Sequence, residues 1–365
     1  MCLSKTVITL TLWFTTQLFG SQETVFSEFR QLPTPTGPYK IGIKTFDLVN
    51  ENNRLVPIWI YFPMEKGPHH LYPKLLEERA LDEFDVIRVW KTLQIKVHAQ
   101  QTSNLTSLKG SKYPTVFLNH GDGCLLSDLG FIAEDLASHG YVVIAIQHQL
   151  STDRKVPKNF KIRMVDRWSQ VIENILFVFD WLKTNNTSLF YNSLDCHRVG
   201  LIGYSMGGNS LMLLAQRIGY GYENETLLPY DAREGIRECI ITLDSRRFPF
   251  PPQNKYHILQ LIAEDRKTVQ EQNGERETMD RLGYKYKYYP GTTHASFVDH
   301  AYINFTVPGH SWFNGTTKER IQFFDTMRKD IRTFLKENIG TKETTTQTTS
   351  SEDSERRHRL NTHPG

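Results

Sequence analysis

Hydrophobic and polar positions follow two different periods along this chain, and the changes between them predict its elements. Short apolar runs of strand length alternate with longer stretches of helical spacing through the centre of the sequence. That alternation is typical of a mainly parallel sheet. The predicted strands are Tyr39–Val49, Leu55–Phe62, Thr115–Asn119, Tyr141–Gln147, Val199–Gly203, Cys239–Leu243, Ile258–Ala263 and Tyr284–Tyr289. The predicted helices are Leu126–Ser138, Met164–Lys183, Met206–Ile218 and Lys318–Glu337.

These elements predict one α/β domain over residues 23–340, with helices on both faces of the sheet. Between 69 and 96, apolar positions recur at helical spacing, which predicts an insertion or cap element. Residues 341–365 are rich in Thr, Ser, Glu and Arg, so we expect a disordered tail. Lys5 and the apolar stretch after it predict a secretory signal peptide over residues 1–22, with an uncleaved membrane anchor as the alternative. We therefore expect a secreted protein, or an exported one if the source is bacterial.

Composition narrows the class of protein. Hydrophobic residues make up 39% of the 365 positions, which is enough for a substantial core. The net charge of +3 is not gathered into a basic stripe, which argues against a nucleic-acid partner. Beyond the leader, Cys124, Cys196 and Cys239 allow either one disulfide with one thiol or three thiols. Six sequons, at Asn104, Asn185, Asn186, Asn224, Asn304 and Asn314, are compatible with glycosylation.

The clearest chemical motif is Gly203-Tyr204-Ser205-Met206-Gly207-Gly208, which follows an apolar run and precedes a helical pattern. A strand, a sharp turn and a helix in this order form a nucleophile elbow, which presents a serine hydroxyl above the sheet. Glycines permit the strained turn, and the helix N-terminus favours negative charge. Ser205 is therefore the predicted nucleophile of an enzyme with the α/β-hydrolase fold. The alternative is a glycine-rich turn with an inert serine.

The attacking serine needs hydrogen-bond donors for the oxyanion that forms. In this fold they are the N–H after the nucleophile and an N–H from an earlier loop. The loop His120-Gly121-Asp122-Gly123 is suitable, so we assign the backbone N–H groups of Met206 and Asp122. The Asp122 side chain must then point away, and His120 positions the loop. An ordinary glycine turn is the alternative.

The general base of this fold lies in a loop after the last strands. His294 occupies such a loop and is the predicted base, with His300 and His310 as rivals. A carboxylate must orient the imidazole, and both Asp244 and Asp265 follow predicted strands. The residues alone leave the choice between these two acids open.

Several separated blocks resemble the plasma-type (group VII) platelet-activating factor acetylhydrolases and their bacterial relatives. The blocks are Thr36–Tyr39, His120–Gly123, Asp135–Val143, Gly203–Gly208, Asp244–Pro249 and His294–Asp299. The family's catalytic aspartate precedes a Phe-Pro pair, as Asp244 does here, so the resemblance favours Asp244 over Asp265. It also implies calcium-independent hydrolysis of short or oxidised sn-2 acyl esters of phospholipids, such as platelet-activating factor. No cofactor is expected.

The sequence departs from that family near the expected pocket. Tyr204 stands where the family commonly has His, Met206 where it commonly has Phe, and Asp122 where it commonly has an apolar residue. The long segment between Ser205 and Asp244, which includes 220–231, is predicted to contain an insertion. These departures concern the acyl pocket and the oxyanion donors, so acyl-chain preference stays open.

The predicted reaction forms an acyl-enzyme on Ser205 and needs no metal, since the sequence has no HExxH, CxxC or paired-histidine spacing. A general carboxylesterase, lipase or lysophospholipase with the same triad is the alternative. An inactive hydrolase-fold binding protein is the alternative from another class. Apolar and basic residues between Val86 and Val97, including Trp90, predict either a membrane or lipoprotein contact or a helix packed on the core. The oligomeric state stays open.

Overall fold

The computed structural model describes residues 31–75, 95–148, 164–219, 239–245, 257–303, 313–341 and 343–344. The strands are β1 (Tyr39–Val49), β2 (Leu55–Lys66), β3 (Tyr72–Pro73), β4 (Lys96–Val97), β5 (Ala99–Gln101), β6 (Ser111–Asn119), β7 (Val142–Ile146), β8 (Leu194–Tyr204), β9 (Cys239–Leu243), β10 (His257–Ala263), β11 (Lys285–Tyr289) and β12 (Glu343–Thr344). The helices are α1 (Gly130–Ser138), α2 (Met164–Phe190), α3 (Met206–Gly219), α4 (Lys267–Gln272), α5 (Glu275–Leu282), α6 (Asp299–Tyr302) and α7 (Thr317–Ile339). Short 3-10 helices lie at Thr106–Leu108, Leu126–Leu129, Glu264–Arg266 and His294–Phe297.

One sheet organises the described residues. Its order is β11-β10-β9-β8-β6-β7-β2-β1-β5, with β12 beside β6. From β7 through β6 to β11 neighbouring strands run parallel, and the β1–β2 hairpin joins β7 antiparallel. This is the mainly parallel sheet that the sequence pattern predicts. Because the carboxyl ends of its parallel strands share one edge, that edge is where a site is expected.

The sheet is covered on both faces, as predicted. Alternate residues of β2 divide between two buried clusters, with Ile58 and Ile60 in one and Trp59 and Tyr61 in the other. The first cluster includes side chains of α2 and α3, and the second includes side chains of α1 and α7. The helices therefore bury their apolar sides against opposite faces of one sheet.

Three parts of the structure differ from the predictions. The ends of the predicted helical stretch 69–96 are extended, since Tyr72–Pro73 pairs with Lys96–Val97, and residues 76–94 lie outside the described residues. The sequence pattern predicts neither α4 nor α5, because each helix buries a single residue, Gln270 and Met279 respectively, and so has no apolar period. Glu343–Thr344 of the predicted disordered tail pairs with β6, whereas residues 345–365 lie outside the described residues.

The structure describes the three predicted cysteines, whereas several other predicted features lie outside the described residues. Cys124, Cys196 and Cys239 are thiols, and no disulfide joins them. The leader 1–22, the insertion 220–231, Trp90, and the sequons at Asn224 and Asn304 lie outside the described residues. None of the helices in the described ranges is both long enough and apolar enough to cross a membrane.

The remaining sequons differ in their surroundings. Asn104 is exposed, and its Oδ1 accepts a hydrogen bond from the backbone N–H of Thr106. Asn185 and Asn186 lie in α2 and donate their side-chain amides to backbone carbonyls. Asn314 is exposed ahead of α7. Glycosylation at these positions stays a prediction.

Candidate active site

Ser205 lies in the turn between β8 and α3, which is the predicted strand, turn and helix order. Its φ of +51° falls in the left-handed region that non-glycine residues rarely adopt. The backbone N–H of Ser205 donates to the Leu243 carbonyl at 2.9 Å, and its carbonyl accepts from Asn209 N–H at 3.0 Å. The strained turn is thus bound both to β9 and to the first turn of α3.

Close backbone approaches explain two glycines of the elbow. A Cβ on Gly203 would lie 2.5 Å from backbone atoms of Gly207 and Gly208. A Cβ on Gly207 would lie 2.5 Å from the Asn119 carbonyl at the end of β6. Both distances are far below van der Waals contact, so only glycine permits α3 to start this close to the sheet.

Three predicted side chains meet at the carboxyl edge of the sheet. The Ser205 hydroxyl lies 2.9 Å from His294 Nε2, and His294 Nδ1 lies 2.5 Å from Asp244 Oδ2. His294 begins the 3-10 helix after β11, and Asp244 directly follows β9. The Tyr204 ring stacks on the imidazole at a centroid distance of 5.1 Å, and its hydroxyl donates to the His294 carbonyl. The imidazole is therefore held between a carboxylate, a hydroxyl and a ring.

The Asp244 carboxylate is buried and receives three donors. The backbone N–H of Ala263 donates to Oδ1 at 2.9 Å, and Arg266 Nε lies 3.2 Å from Oδ2, the oxygen that also faces His294. Such donors compensate the cost of burying a charge. Arg266 has no sequence signal, because nothing in its local pattern distinguishes it from a solvated basic residue.

The rival residues lie elsewhere. Asp265 is exposed in the 3-10 helix after β10, and the carboxylate next to His294 is that of Asp244. His300 is buried at the start of α6, and burial lowers its pKa to about 3. His310 lies outside the described residues.

The loop 120–123 lies beside the serine. A Cβ on Gly121 would be 3.2 Å from Ser205 Cβ, so the loop packs directly on the nucleophile elbow. His120 Nδ1 donates to the Gly121 carbonyl at 2.8 Å, and His120 Nε2 accepts from the backbone N–H of His148 at 3.0 Å. Burial lowers the pKa of His120 to about 4, so the imidazole is neutral at pH 7. These contacts make His120 a support of the loop.

The side chain of Asp122 is directed toward α2. Its two oxygens lie 2.9 and 2.8 Å from Arg167 Nη1. Met206, the other residue assigned an oxyanion donor, is buried at the start of α3. Use of these two N–H groups as oxyanion donors stays a prediction.

This arrangement can perform nucleophilic catalysis. A hydroxyl bonded to an imidazole, which is bonded to a buried carboxylate, can lose its proton while it attacks an electrophilic carbon. Across the described ranges, no three His, Cys, Asp or Glu side chains are grouped so as to hold a metal ion.

Two protein families match parts of the chain. Residues 24–155 match the family of platelet-activating factor acetylhydrolase, isoform II. Residues 106–232, which include Ser205, match the PET hydrolase-like family. The first match confirms the resemblance to the acetylhydrolases that the sequence blocks indicate. Neither match reaches Asp244 or His294.

Individual relatives match parts of the sequence, and a solved structure matches the fold. The platelet-activating factor acetylhydrolase of Cavia porcellus is 30% identical over 129 residues, which are 32% of this chain and 29% of that protein. Cutinase est2 of Thermobifida alba is 25% identical over 109 residues, 30% of this chain and 32% of that protein. The matches thus span about a third of these relatives. A ferulic acid esterase from Streptomyces cinnamoneus has a TM-score of 0.62 at 18% identity, over 85% of this chain and 93% of that chain. The predicted α/β-hydrolase fold is confirmed.

Proposed function

We propose that this α/β-hydrolase-fold chain is a serine esterase that cleaves short or oxidised sn-2 acyl groups from phospholipids such as platelet-activating factor. The observation that carries the proposal is the hydrogen-bonded series Ser205, His294 and Asp244, with distances of 2.9 and 2.5 Å. The phospholipid class is supported by the similarity of residues 24–155 to the acetylhydrolase family. Export is supported by the predicted leader.

In the proposed reaction, His294 Nε2 accepts the Ser205 proton while Oγ attacks the ester carbonyl carbon. Asp244 holds the Nδ1–H and stabilises the imidazolium that forms. The backbone N–H groups of Asp122 and Met206 donate to the oxyanion. The tetrahedral intermediate then expels the lyso-alcohol, which takes its proton from His294. A water deprotonated by His294 cleaves the acyl-enzyme and releases the carboxylic acid.

A hydrolase of neutral esters is the second candidate. It is favoured by the PET hydrolase-like match, which covers Ser205, and by the similarity to a cutinase. Both candidates use the same three side chains, so they differ in the pocket that receives the acyl and alcohol groups. Substrate preference therefore separates them.

The test measures release of acetate and of palmitate from matched phosphatidylcholines, with calcium chelated. We expect the wild type to release acetate selectively and Ser205→Ala to lose at least about 10³-fold of that rate. Ser103→Ala, which changes an exposed serine beyond β5, should keep the wild-type rate. Preference for long chains or for p-nitrophenyl esters over both lipids would support the second candidate. No Ser205-dependent hydrolysis of any ester would contradict the esterase and favour a non-catalytic binding protein.

A further inference from the structure

The 120–123 loop is fixed on its inner side by buried groups. The Gly121 carbonyl accepts a hydrogen bond from the buried His120 side chain at 2.8 Å. The Gly121 carbonyl and the Asp122 N–H belong to one trans peptide, so they point in opposite directions. Anchoring the carbonyl therefore restricts the direction in which the proposed oxyanion donor points.

The outer side of the same loop has a different anchor. The Asp122 carboxylate contacts Arg167 Nη1 through both oxygens, at 2.9 and 2.8 Å. Arg167 lies in the first turn of α2, 45 positions away, and α2 is fixed to the core by buried residues such as Val171 and Ile175. A Cβ on the neighbouring Gly123 would meet nothing within 4 Å, so this side of the loop faces open space. The ion pair connects this exposed side of the loop to a helix that packs on the core.

The ion pair is too exposed to matter much for folding. The side chains of Arg167 and Asp122 are 30% and 42% exposed, and pairs exposed to this degree contribute little to stability. Its effect is local. A carboxylate beside a developing oxyanion would repel it, and a guanidinium on that carboxylate offsets the repulsion. An oxyanion donor must also be held in place before the reaction begins.

We propose that Arg167 is a positioning residue for ester hydrolysis, which acts through the Asp122 side chain on the Asp122 backbone N–H. It holds the donor in its direction and compensates the negative charge beside the oxyanion. The inference rests on the proposed function, because it assigns Arg167 a part in the Ser205-dependent reaction. Arg167 need not contact the substrate.

The test measures kcat and KM for Ser205-dependent hydrolysis of p-nitrophenyl acetate by the full chain. Arg167→Gln should lower kcat by about 10- to 100-fold with little change in KM, since removing a whole oxyanion donor costs roughly 100- to 1,000-fold. Arg167→Lys should recover part of the loss. Asp122→Asn keeps the backbone N–H but removes the ion pair with Arg167. The double variant Arg167→Gln/Asp122→Asn should lose no more of kcat than the worse single variant, because both substitutions remove the same interaction.

Arg276→Gln is the matched control, since it breaks a similarly exposed ion pair with Glu271 at 3.0 Å and should leave kcat unchanged. Thermal unfolding of each variant distinguishes positioning from damage to the fold. An unchanged kcat in Arg167→Gln, a rise in KM alone, or additive losses in the double variant would overturn the positioning role. Because the assay uses a neutral ester, failure on phospholipids would overturn only the proposed substrate. If the wild-type chain shows no Ser205-dependent turnover of any ester, the proposed function is overturned and the role of Arg167 with it.

Discussion

At the scale of single residues, two members of the proposed triad have a strained backbone. Ser205 and Asp244 both have positive φ, +51° and +42°. Backbone strain of this kind costs on the order of 1–3 kcal/mol and persists where the surroundings hold it. Here the Ser205 N–H is bonded to Leu243 and the Asp244 N–H to Leu261. The strands themselves therefore supply the restraint that presents both side chains.

The carboxylate of the triad can be tested against its sequence rival. We expect Asp244→Asn to lower kcat by about 10³- to 10⁴-fold, because an amide cannot stabilise the imidazolium and favours the wrong tautomer of His294. Asp265→Asn makes the same change at an exposed position and should alter kcat less than twofold. The measurement is steady-state hydrolysis of p-nitrophenyl acetate. A large loss in Asp265→Asn with little in Asp244→Asn would refute the assignment of the acid.

Single residues were predictable where a motif or a fixed order along the chain marks them. Ser205 is marked by a motif of six residues, and His294 is marked by its place in a loop after the last strands. The choice of Asp244 over Asp265 needed the family resemblance, since both follow strands. Arg167 and Arg266 have no sequence signal, because neither belongs to a motif and an ion pair with a residue 45 or 22 positions away leaves no periodic pattern.

At the scale of elements, the elbow depends on how closely α3 approaches the sheet. We expect Gly203→Ala to lower the free energy of unfolding by about 1–3 kcal/mol, because its Cβ would lie 2.5 Å from the backbone of Gly207. Gly67→Ala is the matched control: its Cβ would approach only the end of the flexible Lys40 side chain, at 2.7 Å. We expect less than about 0.5 kcal/mol there. Urea unfolding at equilibrium measures both.

Equal midpoints for the two glycine variants would contradict the close approach of α3. Ser205-dependent hydrolysis provides a second measurement, since a backbone shift at Gly203 moves the serine next to it. Gly67 directly follows β2, at the edge of the sheet opposite the carboxyl ends of the parallel strands, so its variant should keep the wild-type rate. Loss of activity in both variants would point to a general defect in folding.

Most elements were predictable where they bury apolar residues. Strands β7 and β9 are buried along their whole length, so they form nearly continuous apolar runs in the sequence. Helix α5 buries only Met279, and its seven other positions carry no periodic signal. The prediction for the stretch 69–96 is wrong at its ends, because the apolar residues at helical spacing lie between positions 75 and 90, whereas β3 and β4 lie outside that interval.

At the scale of the whole molecule, topology assembles the candidate site. Ser205 follows β8, Asp244 follows β9 and His294 follows β11, so parallel strands deliver all three to one edge. The partners of His294 lie 50 and 89 positions away in the sequence. Such separations follow from strand order, which apolar periodicity alone does not determine. The order of the three residues along the chain came from the α/β-hydrolase fold that the nucleophile elbow indicates.

The buried histidines give the whole molecule a predictable response to acid. Burial lowers the pKa of His120 to about 4 and of His300 to about 3, and it places the pKa of His148 well below its ordinary value. In the unfolded chain an imidazole titrates near 6.5. Between about pH 6.5 and 4 the unfolded state therefore binds protons that the folded state does not. Stability contributed by these neutral imidazoles is present above about pH 6.5 and is lost as the pH falls.

His300→Gln isolates one of these contributions. We expect the free energy of unfolding to fall between pH 6 and 4 less steeply in the variant, by up to about 1.4 kcal/mol per pH unit, because one titrating imidazole is gone. Burial raises the pKa of Asp128 and Asp299 beside it, which opposes the acid loss, but both carboxyls are present in both proteins. Urea unfolding at several pH values measures the two slopes. Identical slopes would mean that His300 takes up its proton equally in both states, whatever the variant does to stability at pH 7.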